Sequence, residues 1–179
     1  MKLVKLVFTL ALILFTAGFL HYFLPSRDIV QIVGTDVKRM DVDGKAWFWD
    51  KADAGTNSNS TRDVRFISAT FPNGNTRVYR NEDTGWSFPP YFKFDSGDLN
   101  AAAQSLSKQD GPQWVAVRHY GWRVKLFSIF PNATSMKKVS GPDALLIPWF
   151  NIVFLSLLAF FVWRIWAFLR GVKQKHVDP

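Results

Sequence analysis

Two long apolar runs, one near each end, limit what this 179-residue chain can fold into. The first extends from Leu6 to Leu24, with Lys2 and Lys5 before it and Pro25, Ser26 and Arg27 after it. Its nineteen residues, in a helix rising ~1.5 Å per residue, reach roughly 28 Å, close to the hydrocarbon thickness of a bilayer. Thr16-Ala17-Gly18 offers a weak signal-peptide cleavage site. Phe19, Leu20, Phe23 and Leu24 carry the apolar stretch past it, so an uncleaved helix is expected. The second run extends from Leu145 to Trp163, and between Ile152 and Val162 only Ser156 is polar. A helix on a soluble core shows polar residues every third or fourth position; this one does not, and it reads as a second span. Trp149 marks one membrane interface, Trp163 and Trp166 the other. Pro148 is expected in the first helical turn, where a missing amide proton costs little.

Charge orients the two spans. The short ends carry Lys2, Lys5, Arg164, Arg170, Lys173 and Lys175 against a single acidic side chain, Asp178. The middle carries 16 of the 22 basic and 13 of the 14 acidic side chains, so most of the formal charge of +8 belongs to the tails. Basic tails stay on the cytoplasmic side. The expected order is a cytoplasmic N-terminus (1–5), a span (6–24), an extracytoplasmic, periplasmic domain (25–144), a second span (145–163) and a basic cytoplasmic tail (164–179). The basic balance is thereby a topology signal and not a nucleic-acid footprint.

The middle is long enough for one compact core. Asp28 to Val33 reads as a strand that continues from Asp36 to Met40 after Gly34, and Val64 to Phe71 alternates apolar and polar residues. Pro72-Asn73-Gly74-Asn75 is a turn, because Asn-Gly supplies the positive φ of hairpins, and Thr76 to Arg80 returns as the partner strand. Trp114 to Tyr120 and Trp122 to Phe130 read as a strand pair bent at Gly121, followed by a short strand from Thr134 to Val139. Asn100 to Leu106 has helical propensity, with Asp95 or Ser96 as its cap, Asp98 in its first turn and Gly111-Pro112 beyond its end. Lys51 to Thr61 is a polar loop. The expected fold is membrane-anchored α+β: two transmembrane helices flanking a small, mainly antiparallel, OB-like Greek-key barrel with one helix.

Several blocks carry a family resemblance: Asp28 to Asp41, Tyr79 to Trp86, Pro89 to Asp95, Trp114 to Trp122, Phe130-Pro131-Asn132-Ala133 and Pro148-Trp149-Phe150-Asn151. Together they resemble proteobacterial two-span membrane proteins known as domain of unknown function 1523. The resemblance covers nearly the whole chain and implies a bacterial inner-membrane protein. It implies no reaction and assigns no catalytic residue. In a bacterial chain the glycosylation sequons Asn59-Ser60-Thr61 and Asn132-Ala133-Thr134 are coincidental.

Without cysteine, disulfides, thiolate metal sites and cysteine nucleophiles are excluded. The chain has no Gly-x-Ser-x-Gly, phosphate-cradling or dinucleotide fingerprint. His119, beside Arg118 and Tyr120, is either a base working near neutral pH or a hydrogen-bonded histidine of the barrel rim. His21 reads as a headgroup anchor, and His176 lies in the tail, so no histidine cluster forms by sequence. Asn81-Glu82-Asp83-Thr84-Gly85 is rich in oxygen but lacks calcium-loop spacing; a turn salt-bridged to Arg62, Arg65, Arg77 or Arg80 is expected. With Trp122 these residues form a candidate polar site of Glu82, Asp83, Arg118, His119, Tyr120 and Trp122.

Aromatic residues dominate the rest. Trp86, Phe88, Pro89, Pro90 and Tyr91, with Trp47, Phe48 and Trp49, form a candidate interaction surface in which Pro89-Pro90 stiffens the backbone. The alternative is that these rings fill the barrel and cover its open ends. Arg118, Arg123 and Lys125 near Trp122 resemble single-strand binding surfaces of OB barrels, but an extracytoplasmic location excludes nucleic acid as partner. Phe150, Asn151, Phe154, Ser156 and Phe161 are candidate packing positions of the second span, opposite Thr9, Thr16, Ala17 and Gly18 of the first or a second protein. The leading expectation is a non-enzymatic accessory or scaffold subunit of a membrane complex, with no cofactor or metal. Its partners are the lipid bilayer and another membrane protein, a second copy included. The alternatives are a binder of small ligands or envelope polysaccharide stacking on Trp86, Tyr91, Trp114 and Trp122, and an envelope enzyme using Glu82, Asp83 and His119.

Overall fold

The structure is a computed structural model that describes residues 2–41, 61–86, 88–111 and 113–175. In chain order the elements are α1 (Lys2–Phe23), β1 (Ser26–Asp41), β2 (Thr61–Thr70), β3 (Thr76–Asn81), α2 (Ser96–Ser107), β4 (Trp114–Tyr120), a 3-10 turn (Lys125–Phe127), β5 (Asn132–Lys138) and α3 (Trp149–Lys175). The described residues up to Leu145 form one compact unit and those from Leu146 onward another.

The five strands close into a barrel in the order β1-β2-β3-β5-β4. Closure depends on the length of β1. Its first half pairs with β4 and its second half with β2, and Gln31 faces Trp114 on one side and Thr70 on the other. A register shift between Ile32 and Gly34 bends the strand at this changeover, as a bulge must where one strand serves two sheet directions. β3 and β5 run parallel and share one register pair, Arg80 with Asn132. With α2 inserted between β3 and β4, this is the OB arrangement expected from the element order.

The core lies inside the barrel. Val30, Ile32, Ile67, Ala69, Tyr79, Val115, Val117 and Ala133 point inward from the strands, and Leu99 and Ala103 of α2 meet them. Leu99, Ala103 and the half-buried Leu106 recur at the spacing of one helix face, so α2 plugs the barrel with a narrow apolar stripe. Its cap differs from expectation. Asp95 makes no side-chain capping bond. Asp83, twelve positions upstream of it in sequence, accepts from the Ser96 amide at 2.8 Å and the Ser96 hydroxyl at 2.7 Å. Asp83→Ala is expected to cost about 1 kcal/mol of stability, the usual worth of a helix cap, read as a lowered midpoint in denaturant unfolding; an unchanged midpoint contradicts this role.

Three local expectations change. Trp122 to Phe130 is not a strand: it holds one bridge, Val124 with Ile129, around the 3-10 turn. Gly121 at φ +87 swings the chain off the sheet, and its amide bonds α1 instead of a neighbouring strand. The second apolar helix begins at Trp149 and not at Leu145. Pro148 stands just before it, and its carbonyl accepts from the Ile152 amide at 3.1 Å. Both α1 and α3 are long and apolar enough to cross a membrane, over Lys2–Phe23 and Trp149–Arg170.

Candidate interaction site

A helix leaves its last carbonyls without partners, and at a membrane boundary those groups need receivers. The barrel supplies them for α1. The Gly121 amide donates to the Tyr22 carbonyl at 2.9 Å, and the Tyr91 hydroxyl donates to the Phe23 carbonyl. Trp122 donates its indole N–H to His21 Nδ1 at 2.7 Å, packs edge-on to Tyr22 at 5.3 Å and reaches toward Gly18, one turn earlier. Phe88 meets Phe23 at 4.7 Å and Phe19 at 6.3 Å. Bonds and rings on two sides thus hold the end of α1 against the barrel.

The aromatic–proline segment divides between these tasks. Tyr91 stacks on the buried Tyr120 ring, 4.5 Å between centroids and 9° between planes, and braces α1 from there. Phe88 packs on α1. Trp86 does neither: 84% exposed, it meets the rings of Phe92 and Phe94, at 5.5 and 5.7 Å, which are themselves more than half exposed. The three rings form an outward cluster. The segment is therefore neither wholly core nor wholly ledge, a division its composition did not reveal.

The same segment closes the weakest seam of the barrel. Between β3 and β5 the backbone pairing is minimal, and side chains replace it. Asn132 accepts from the Glu82 amide at 3.0 Å and donates to the Glu82 carbonyl at 3.1 Å and the Tyr120 hydroxyl at 3.2 Å. Buried Lys93 donates its ammonium to the Asn81 side chain on β3 and the Ala133 carbonyl on β5. Thr84 and Gly85 amides bond the Lys93 carbonyl, and the Lys93 amide bonds Thr84 Oγ1, all at 3.1 Å. Burial pulls the Lys93 ammonium down to about 8, although the Asp83 and Asp95 carboxylates oppose this. Beside this segment lies an open cleft of about 390 Å³ lined by Tyr91, Phe92, Lys93, Phe94, Asp95, Arg118, Thr134 and Ser135.

A second polar cluster lies on the barrel's inner side. One oxygen of Asp28 accepts from Arg77 at 2.7 Å and Tyr79 at 2.6 Å, and stands 3.0 Å from His119 Nε2. Burial alone would raise the Asp28 carboxyl. The hydrogen bonds from His119 and Tyr79 and the charges of His119 and Arg77 outweigh it and hold the group below its usual range. Burial and the same carboxylate push the Tyr79 phenol well up, which suits a donor. Sequence reasoning passed over Asp28 and Lys93. A signal existed for the first: Asp28, Val30 and Ile32 share one strand face by alternation, and the latter two are core.

The candidate polar site is dispersed. Glu82 is buried and pairs with Arg80 at 2.7 Å; Asp83 caps α2; Arg118 lines the cleft; His119 meets Asp28; Tyr120 supports Tyr91; Trp122 holds α1. Of the expected arginine partners, Arg77 turns to Asp28 and Arg65 to the Ser96 hydroxyl at 3.3 Å, while the Arg62 side chain lies outside the described set. No group of three His, Asp or Glu side chains converges among the described residues. Trp47, Phe48, Trp49, the polar loop up to Ser60 with the first two residues of its sequon, and His176 lie outside the described residues. The other sequon residue, Asn132, is buried. In α3, Phe150 and Phe154 stack at 6.0 Å, Phe161 meets Phe160, and Asn151 is half-buried. In α1, Thr9 and Thr16 return their hydroxyls to Lys5 and Leu12 carbonyls of the same helix, both at 2.8 Å.

An OB-type barrel that holds the end of one apolar helix, with a second such helix following in the chain, fits a two-span membrane protein. The chain belongs to the family described as Protein of unknown function (DUF1523), which matches residues 1–173 and so takes in the barrel and nearly all of both helices. It is 36% identical over 160 residues to an uncharacterized protein of Haemophilus influenzae, covering 88% of this chain and 86% of that one. No solved structure matches it.

Proposed function

We propose that this protein is a non-enzymatic accessory or scaffold subunit of a bacterial inner-membrane complex. Both termini are cytoplasmic, α1 and α3 span the membrane, and the barrel is presented in the periplasm. One observation carries the reading: the exposed Trp86–Phe92–Phe94 cluster sits on a segment whose neighbouring residues, Phe88 and Tyr91, fasten the barrel to α1. Aromatic rings bury large area at low rotamer cost, which suits a protein interface. Fastened to a span, they are held at fixed height above the bilayer, where a membrane partner's outer segment is within reach. A photo-crosslinking residue at position 86, in cells, is expected to give one discrete protein adduct. The adduct should be missing with the crosslinker at Asp110, and lost when Phe92 and Phe94 are both replaced by serine. No adduct at position 86, or one indifferent to those replacements, contradicts the proposal.

The cleft supports a second reading, a binder of a small anionic ligand, with Arg118 and Lys93 as cations and Phe92 and Phe94 as apolar walls. The pattern differs from the stacking platforms expected from sequence, since Tyr91 and Trp122 are committed to α1.

A further inference from the structure

We infer that the β4–β5 loop is a lipid-seated wedge: Leu126 and Phe127, carried on the loop that starts at Gly121 and Trp122, enter the headgroup–acyl boundary of the membrane that α1 crosses. This rests on the reading of α1 as a span. The loop tip exposes two consecutive large apolar side chains, Leu126 at 84% and Phe127 at 70%. Neither supports the fold, yet the loop that presents them is built to hold shape. Val124 and Ile129 exchange backbone hydrogen bonds at 3.2 and 3.0 Å. Arg123 donates to the carbonyls of both, at 3.2 and 2.9 Å, and lies over the Phe130 ring at 4.2 Å. Ser128 closes the tip at φ +51.

The position of the loop says what covers it. Its first two residues bond the last turn of α1, Gly121 to Tyr22 and Trp122 to His21. The indole then reaches back toward Gly18, that is, from the helix end toward the bilayer. Leu126 is four residues beyond Trp122, so even an extended chain keeps the tip within about 14 Å of Trp122, which itself bonds the last turn of α1. α1 is about 33 Å long at ~1.5 Å per residue, so its last turn lies at the headgroup level of a bilayer about 30 Å thick. Phe88 packs beside Phe19 and Phe23 at the same level and is 60% exposed. Trp at this height is an interfacial residue, and a basic side chain such as Lys125, next to the tip, meets lipid phosphate. Apolar side chains seated there are removed from water with no partner protein.

The chain has no cysteine, so single-cysteine spin labels read each site cleanly. The full chain is placed in nanodiscs of phosphatidylethanolamine and phosphatidylglycerol. Labels go at Leu126→Cys, Phe127→Cys, Leu12→Cys within α1, and Asp110→Cys in the loop between α2 and β4. At positions 126 and 127, relaxation by oxygen is expected to exceed relaxation by a water-soluble nickel complex several-fold, as at position 12, with the reverse at 110. Labels at 126 and 127 that behave like 110, or that are shielded from both reagents, overturn the wedge while leaving the span intact. A water-exposed label at position 12 overturns the span itself. A circular-dichroism spectrum unchanged by the substitutions shows that each variant is folded.

Discussion

Asp28→Ala is expected to destabilise the barrel by about 3 kcal/mol, the upper end of the scale for leaving buried hydrogen-bonding groups without their acceptor. On a domain of this size that lowers the melting temperature by on the order of 10 °C. The cause is the number of groups that share one carboxylate oxygen. Arg77, Tyr79 and His119 converge on Asp28 from β3 and β4, and Tyr79 and His119 are buried. Removing the acceptor leaves the buried Tyr79 phenol facing a low-dielectric interior, where an unmade bond costs more than a made one returns, while the part-exposed Arg77 guanidinium turns to water. Asp28→Asn keeps the shape but not the charge, so it is expected to fall between wild type and alanine. The folded carboxyl lies below its usual value, so its contribution is complete above the ordinary carboxylate value of ~3.9. That contribution is lost as pH falls through the lower folded value. Thermal unfolding of the full chain in detergent, from neutral pH downward, should show that part of the acid loss missing in Asp28→Asn. An alanine variant as stable as wild type contradicts the assignment.

Lys93 produces a slope of opposite origin at high pH. Its ordinary value is 10.5 and its folded value about 8. Between these, the unfolded chain keeps a proton that the native barrel has released, so stability rises with pH across this window. Below about 8 both states are protonated and the group adds no slope. The full gain is about 3 kcal/mol, and most of it appears by pH 10. The phenols of buried Tyr79 and half-buried Tyr91, both raised by desolvation, add no opposing slope until above ~10. Lys93→Met is expected to flatten the curve from pH 8 to 10, because it removes the titrating group. It also withdraws the donor from Asn81 and Ala133 across the β3–β5 seam, so the variant is expected to be the less stable protein at pH 10. Denaturant midpoints measured at several pH values decide both; a flat wild-type curve removes the claim.

Local patterns carried much of the fold. The alternation in β2, the Asn-Gly turn before β3 and the helical propensity of α2 are short-range properties, and the structure has a strand, a turn and a helix at these places. The strand misread at Trp122–Phe130 has a definite cause. Val124, Leu126 and Phe127 have strand-like composition, but Gly121 delivers its amide to α1, a partner outside the local window. The candidate site was less legible for the same reason. Its residues were picked for proximity in sequence, yet alternation and turns send Glu82 to Arg80, Asp83 to Ser96, and His119 to Asp28, a residue at the other end of the barrel domain's sequence.

What the sequence determined by itself was the pair of long apolar helices and the order of elements between them apart from Trp122–Phe130, because length, hydropathy and periodicity act over neighbouring residues. Only the tertiary structure decided that Asp28 joins three elements, that Lys93 bridges the parallel seam, and which aromatics clasp α1 and which face outward. Those outcomes depend on which buried polar group finds a partner once the barrel closes, and that pairing is made across space between residues tens of positions apart.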